Sequence, residues 1–245
     1  MIRKAVVMAG GLATRLRPLT LATNKHMLPV YDRPMIQHVI ETVVSSGITD
    51  IMVQLTNTFA QPVMELLRDG EPFGCSIYYG YQSMGDSVAK MLRSCRTFAN
   101  DEPFLLMLGD SFYRAPLQDL DKPAPHVWVM PLQEFDDPRK YAEVRLEGGV
   151  ITDIAENLFD PPTGIVQTGA WLFPPDVFGR AERLLGATRD KEVKVRHLAR
   201  EYARTSGMGA TLLPPESFLD LGTVEALYKA QTLMREHALG KRSKT

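Results

Sequence analysis

The sequence predicts an α/β fold with a doubly wound, mainly parallel central sheet. Short apolar runs such as KAVVM, residues 4–8, and FLLML, residues 104–108, are typical of strands buried on both faces. Amphipathic helical segments separate these runs through the first half of the chain. Because regular strand–helix alternation is typical of parallel sheets covered by helices, we expect a Rossmann-like architecture with a small β-rich subdomain.

The elements predicted before residue 110 follow this alternation in order. Strands are expected at residues 4–10, 50–56, 75–81 and 103–110, and helices at 33–47, 61–70 and 86–98. In the first helix, Pro34 suits the first turn and Gly47 suits the end. We therefore expect residues 1–115 to form the parallel part of the sheet.

Beyond residue 115 the predicted secondary structure changes to strands and hairpins followed by helices. Strands are expected at residues 126–134, 142–157 and 164–175, a strand pair at 209–222, and helices at 175–185, 191–207 and about 222–239. Residues 116–220 thus predict the β-rich part. Residues 1–240 are expected to form a single domain, followed by a basic tail at 241–245.

Composition excludes several classes of protein. Lys and Arg total 28 against 29 for Asp and Glu, a balance that predicts no nucleic-acid surface. Cys75 and Cys95 lie far apart and the histidines show no HExxH spacing, which favours a reducing compartment without a zinc site. With no signal-peptide pattern or membrane span in the sequence, we expect a cytoplasmic protein with no membrane partner; a homo-oligomer is left open.

The segment GGLATRL, residues 10–16, combines flexible backbone with fixed positive charge. It lacks the GxxxxGK[ST] spacing of a P-loop, and Ala13 and Leu16 stand where a GxGxxG fingerprint has glycines. The two glycines would still let backbone N–H groups approach phosphate oxygens, and Arg15 would grip two of them. A tight turn with solvated cations is the alternative, which the spacing alone leaves equally open.

Several motifs in a fixed order decide between these interpretations. They are GGLATRLRP at residue 10, KHMLP at 25, RPMI at 33, YQSMGDSVA at 81, MLGDSFY at 107, QTGAWLF at 167 and FLDLGT at 218. Together they resemble the sugar-1-phosphate nucleotidyltransferases, and most of all the glucose-1-phosphate thymidylyltransferase branch. The resemblance implies Mg²⁺-dependent transfer of a nucleotidyl group from a nucleoside triphosphate, dTTP by default, to a sugar-1-phosphate, glucose-1-phosphate by default.

The resemblance also implies a role for each matching residue on the nucleotide side. Arg15 would hold the leaving pyrophosphate, Lys25 would contact the α-phosphate or the incoming phosphate, and Asp110 would complete the catalytic set. Asp110 and Asp220 would bind Mg²⁺, which prefers oxygen ligands. The implied nucleotide-binding residues are Gly10, Gly11, Thr14, Arg15, Gln82, Ser87 and Asp110.

On the acceptor side the sequence departs from the family pattern. The implied acceptor-binding residues are Ala142, Glu156, Asn157, Thr168, Gly169 and Trp171. Asn157 stands in place of a lysine, Ala142 in place of a glycine and Trp171 in place of a tyrosine. In the nucleotide half, Ser87 and Ala13 each replace a glycine; if the latter position requires a positive φ, alanine costs about 1–2 kcal/mol.

These departures leave two alternatives open. One keeps the chemistry and changes the base and the acceptor, to an unusual sugar or cyclitol phosphate. The other is a non-catalytic nucleotide or nucleotide-sugar sensor, which would have no need of both carboxylates and Arg15. Lys194, Arg196 and His197 are expected to form an exposed helix face rather than to replace the lost lysine. We expect no regulatory site built from additional C-terminal helices.

Overall fold

The computed structural model describes residues 2–11, 13–83, 87–132, 141–155, 162–187 and 193–242, with side chains described as far as residue 236. The strands are β1 Lys4–Met8, β2 Pro29–Val30, β3 Arg33–Pro34, β4 Asp50–Leu55, β5 Ser76–Tyr81, β6 Phe104–Leu108, β7 Ser111–Tyr113, β8 His126–Pro131, β9 Glu143–Glu147, β10 Val150–Ala155, β11 Ile165–Phe173, β12 Met208–Leu212 and β13 Phe218–Asp220. The helices are α1 Met35–Ser45, α2 Ala60–Leu67, α3 Val88–Ala99, α4 Val177–Ala187, α5 Val195–Thr205 and α6 Val224–Arg242.

The central sheet is mixed rather than mainly parallel. Its nine strands run in the order β5-β4-β1-β6-β11-β8-β12-β10-β9. The neighbours from β5 to β6, and the pair β8–β12, are parallel, whereas β11 is antiparallel to both β6 and β8. The α/β class is confirmed, but the parallel arrangement stops at β6. A strand buried on both faces has the same apolar pattern whichever way its neighbour runs, so that pattern does not reveal the change of direction.

The predicted strand pair at residues 209–222 forms two strands that do not pair with each other. β12 lies in the main sheet between β8 and β10, whereas β13 pairs with β7 in a separate two-stranded sheet. Pro214 and Pro215 follow β12, and proline lacks the N–H that a continuing ladder needs. The chain therefore leaves the main sheet and returns beside the end of β6.

Helices cover both faces of the sheet. α3, α4 and α5 pack on one face, and α1 and α2 on the other. A third, smaller cluster lies under α6 and includes Leu16, which is fully buried and anchors the glycine loop. α6 continues to Arg242, past the predicted start of the tail, and residues 243–245 lie outside the described part. None of the helices in the described segments has the length and apolar character needed to span a membrane.

Candidate active site

Both glycines of the loop after β1 occupy positions that require glycine. A Cβ on Gly10 would overlap the side-chain amide of Gln82, so the loop and this amide are in close contact. Gly11 has a φ of 127°, which other residues rarely adopt. The structure thus brings two of the predicted nucleotide-binding elements together at the carboxyl end of β1.

Ala13 adopts the left-handed conformation, with φ 47° and ψ 38°. Its carbonyl accepts hydrogen bonds from the Leu16 N–H at 3.1 Å and the Thr20 hydroxyl at 3.0 Å, which hold this conformation. Thr14 and Arg15 then lie exposed on the short 3₁₀ turn Thr14–Leu16. The position of the third family glycine therefore does require a positive φ in this chain.

Ala13→Gly should raise the free energy of unfolding by about 0.5–1 kcal/mol. Glycine removes the strain of a left-handed alanine but adds entropy to the unfolded chain, and the first effect is the larger. Urea unfolding measures the difference. Ala203→Gly within α5 is the control, and it should lower stability by about 1 kcal/mol. A loss of the same size at Ala13 would show that this conformation carries no strain.

Lys25 and Asp110 form a nearly buried ion pair. Lys25 Nζ lies 2.6 Å from Asp110 Oδ2, and their side chains are 14% and 12% exposed. Lys25 begins the 3₁₀ turn Lys25–Met27, which the Asn24 side chain caps by accepting the His26 N–H at 3.0 Å. Burial alone raises the pKa of Asp110, but the charge of Lys25 and its hydrogen bond outweigh burial and lower the pKa. The carboxylate is therefore ionised at neutral pH.

His26 packs next to this ion pair, and its place in the site was not predicted from the sequence. It is 1% exposed, and its Nδ1 donates to Asn24 Oδ1 at 2.7 Å. Burial, reinforced by the charge of Lys25, lowers the pKa of His26 to about 3, so the imidazole is neutral. A Cβ on Gly109 would lie 2.8 Å from the His26 ring, which shows how closely the ring packs on the backbone that leads to Asp110. No sequence pattern distinguishes this histidine from an ordinary core residue.

Asp220 lies beside Asp110 through the β7–β13 pairing. It is opposite Ser111 in the register, and the Leu221 N–H donates to the Asp110 carbonyl at 3.0 Å. Burial and the charge of Asp110 both raise the pKa of Asp220, and Arg15 offsets them only in part. Two close carboxylates that repel each other are the donors that a hard divalent cation fits.

Arg15 reaches the same place from the glycine loop. A Cβ on Gly222 would lie 2.6 Å from Arg15 Nη2 and 2.9 Å from Asp220 Oδ1, so the guanidinium and this carboxylate flank the same backbone. The guanidinium belongs to an exposed residue, whereas the carboxylate is mostly buried. The cation is thus placed at the open side of the carboxylate pair.

A cavity of about 270 Å³ opens next to the carboxylates. Asp220 lines it together with the predicted acceptor residues Ala142, Thr168, Gly169 and Trp171. The other two predicted acceptor residues, Glu156 and Asn157, lie outside the described residues. The structure therefore brings the described acceptor residues to one cavity that ends at the predicted metal site.

Two cations also line this cavity, contrary to expectation. Lys194 and Arg196 are half-buried and belong to its wall, so the exposed helix face predicted for them is wrong. His197 serves the helix instead, because its Nδ1 accepts the Lys194 N–H at 3.2 Å and caps the start of α5. α5 packs against β10, and this packing directs its first turn to the cavity, which charge patterning alone does not reveal.

Ser87 has a structural role in addition to its predicted place near the base. Its hydroxyl accepts the Lys90 N–H at 3.4 Å and caps α3. The next N–H, that of Val88, donates to the Val193 carbonyl at 2.8 Å and links α3 to the segment before α5. Serine at this family glycine position therefore stabilises the start of a helix.

Thr168 and Gly169 fix the wall of the cavity to β7. Thr168 Oγ1 accepts from the Tyr113 hydroxyl and donates to the Trp128 carbonyl, both at 2.7 Å. A Cβ on Gly169 would overlap the Ser111 hydroxyl. Ser111, the residue after Asp110, thus packs directly on Gly169. This contact joins the carboxylate side of the site to the acceptor cavity.

Gly169→Ala should lower the free energy of unfolding by about 1–3 kcal/mol, because the added methyl group has to displace Ser111. Thermal and urea unfolding measure the loss. Ser111→Gly in the same chain should restore most of it, since it removes the overlapping atoms. Gly186→Ala in α4, where a Cβ meets nothing within 4 Å, is the control and should be stabilising. Equal behaviour of the two glycine variants would contradict the packing described.

Permanent cations beside a glycine loop, with paired carboxylates between the loop and a cavity, suit the binding of phosphorylated molecules. The nucleotidyl transferase family model matches residues 4–237, and the chain belongs to that family. The predicted membership of the sugar-1-phosphate nucleotidyltransferases is thereby confirmed.

Two relatives and one solved structure illustrate the similarity. A glucose-1-phosphate thymidylyltransferase of Actinoplanes sp. is 30% identical over 95% of this chain and 78% of its own length. One of Xanthomonas campestris is 29% identical over 93% and 79%. A Bacillus anthracis protein, assigned as a glucose-1-phosphate thymidylyltransferase and crystallised with sucrose, superposes with a TM-score of 0.86 at 26% identity over 95% of both chains. The mixed α/β architecture is therefore that of this family.

Proposed function

We propose that the protein joins dTTP and a sugar-1-phosphate, releasing pyrophosphate, in a Mg²⁺-dependent reaction. The observation that carries this proposal is the buried Lys25–Asp110 pair beside Asp220, located between the glycine loop and the cavity. Nucleotidyl transfer needs alignment of two phosphates and neutralisation of the charge that develops between them. This arrangement would supply both at one point of the fold.

In this proposal the loop holds the triphosphate. The backbone at Gly11 is open to phosphate oxygens, because this residue is exposed and nothing lies within 4 Å of the place that a Cβ would take. At Gly10 the corresponding space is filled by the Gln82 amide. Arg15, at the open side of the carboxylates, would bind the departing pyrophosphate with its planar fork. Lys25 would draw the attacking and the attacked phosphates together, while Asp110 fixes the position of its ammonium group.

Asp110 and Asp220 would hold the Mg²⁺ ion. Their carboxylates fit because their mutual repulsion is relieved by a divalent cation, and both offer oxygen. Among the described residues there is no group of three or more acidic, histidine or cysteine ligands, so phosphate oxygens and water would complete the coordination. The bound ion would supply charge neutralisation at the reacting phosphates.

Gln82 supports a pyrimidine base with a ring N–H, and the choice of dTTP over UTP rests on the similarity to glucose-1-phosphate thymidylyltransferases. The Oε1 of Gln82 is buried and has no hydrogen-bond partner among the described residues, and the same side chain packs on Gly10. An acceptor oxygen held there would pair with the ring N–H of thymine or uracil. Cytosine has no ring N–H at that edge and would be disfavoured.

An altered acceptor is the second candidate, because Lys194 and Arg196 line the cavity. Two cations on this wall would bind a phosphate that the Asn157 amide does not neutralise. These cations lie at the start of α5, whereas Asn157 follows β10. A phosphate bound by them would therefore hold the sugar ring in a different position. The default acceptor remains glucose-1-phosphate, and a cyclitol or unusual sugar phosphate is the alternative.

Pyrophosphate release tests the proposal. The protein is incubated with Mg²⁺ and with dTTP, UTP, CTP, GTP or ATP, each against several sugar-1-phosphates and a cyclitol phosphate. We expect release with dTTP, weaker release with UTP and none when EDTA replaces Mg²⁺. Release with one acceptor other than glucose-1-phosphate would select the second candidate. Nucleotide binding without release for any pair would contradict an enzyme and favour a sensor.

A further inference from the structure

Gln167 is a buried polar side chain in the wall of the acceptor cavity. It belongs to the apolar strand β11 and is 6% exposed. The Trp171 indole N–H donates to its Oε1 at 2.8 Å. Both side chains line the cavity, so this hydrogen bond lies at the surface that an acceptor would meet.

An irregularity in β11 makes this hydrogen bond possible. Gln167 is opposite Val129 of β8, and Trp171 is opposite Val127, so four steps along β11 face two along β8. In a regular strand, side chains four residues apart are separated by about 13 Å, too far for direct contact. The bulge shortens this distance and turns both side chains to the same cavity.

The indole fixes the orientation of the amide. A tryptophan N–H donates and cannot accept, so the oxygen of Gln167 must face Trp171 and its Nε2 must face away. That Nε2 is buried and has no hydrogen-bond partner among the described residues. Buried donors without a partner are rare in folded proteins, and this one borders a cavity that would receive a polar ligand.

We propose that Gln167 determines acceptor specificity by donating its Nε2–H to a hydroxyl oxygen of the sugar ring. The inference rests on the function proposed above and adds a substrate requirement: the acceptor carries an oxygen at the position that faces β11. Trp171 is the positioning residue, because it holds the amide in the donating orientation. A phenol, the family group at this position, both donates and accepts and would leave the amide free to reverse.

The test compares two ways of removing the donor. Gln167→Glu keeps the size of the side chain and the acceptor for Trp171 but replaces the N–H by an oxygen. The double variant Gln167→Met/Trp171→Phe removes both polar partners, which keeps the interior satisfied if the single change disturbs folding. Gln118→Glu, at an exposed loop position, is the control for added charge.

The measurement is kcat/KM for pyrophosphate release with dTTP and glucose-1-phosphate or its 2-, 3-, 4- and 6-deoxy forms. We expect the unaltered protein to use one deoxy form about ten- to a hundredfold less efficiently than glucose-1-phosphate. Both Gln167 variants should lose a similar factor with glucose-1-phosphate and keep their rate with that deoxy form, which abolishes the preference. Trp171→Phe alone should weaken it.

The two levels of the proposal fail differently. No deoxy preference in the unaltered protein, or a preference that persists in both Gln167 variants, overturns the role of Gln167 and leaves the reaction standing. No release by the unaltered protein with glucose-1-phosphate or any deoxy form contradicts the proposed default function, and the inference falls with it.

Discussion

Lys25→Met should reduce the turnover number for pyrophosphate release by about a hundredfold or more. The lysine ammonium is held 2.6 Å from Asp110 and is largely shielded from water, so its charge acts in a low-dielectric site. Methionine keeps most of the volume and removes the charge. The variant should also unfold more easily without Mg²⁺, because Asp110 then lies beside Asp220 with no nearby ammonium.

Lys4→Met is the matched control for this experiment. Lys4 is also a lysine of low exposure, 17%, and pairs with Glu102 at 3.4 Å on the opposite end of β1. Its replacement should cost at most about 1 kcal/mol of stability, because Glu102 is half-exposed, and should leave turnover unchanged. Turnover is measured with Mg²⁺, well below the melting temperature of each variant. Equal turnover in the Lys25→Met and Lys4→Met variants would show that Lys25 has no role in the reaction.

Arg15→Met should lower kcat/KM for the nucleoside triphosphate by about a hundredfold, the second large effect. Arg15 lies against Gly222 beside Asp220, where a departing pyrophosphate would need a bidentate partner. The reverse reaction, in which pyrophosphate is a substrate, should show a matching rise in its KM. That rise separates a contact with pyrophosphate from a general loss of charge.

Arg17→Met provides the comparison within the same loop. Arg17 is exposed like Arg15 and lies two residues further along, after the buried Leu16 that anchors the turn. Its removal changes the net charge of the loop by the same amount. We expect an effect of no more than about twofold, as for most surface substitutions. Similar losses in both variants would show that the loop attracts anions without a specific contact.

The main strands and helices before residue 110 were predictable because each carries its own pattern, whereas the short β2–β3 pair was missed. The strand that ends at Met8, before the two glycines, and the helix that begins at Met35 are specified by local apolar spacing and by proline and glycine signals. Pro34 itself caps this helix in an extended conformation rather than lying in its first turn. The antiparallel direction of β11 was not predictable, because strand pairing depends on residues far apart in sequence. The separation of β12 from β13 was missed for the same reason, although Pro214 and Pro215 could have indicated that the ladder ends there.

The site divides in the same way. Residues of the described segments that matched a family motif, such as Lys25, Asp110 and Asp220, do lie together, but their roles stay proposals. Gln167 was missed, although a glutamine inside an apolar strand was a usable signal. The contact of the Arg15 guanidinium with the backbone of Gly222 had no signal at all, because it arises only where two distant segments fold against each other.

The small sheet of β7 and β13 has a consequence for the order in which the candidate site forms. Its partners, Ser111 and Asp220, are about a hundred residues apart in the chain. During synthesis Asp110, just before β7, therefore emerges from the ribosome long before Asp220 has been added. The acidic pair forms only once β13 has been made. Unfinished translation products would carry the glycine loop without the acidic pair.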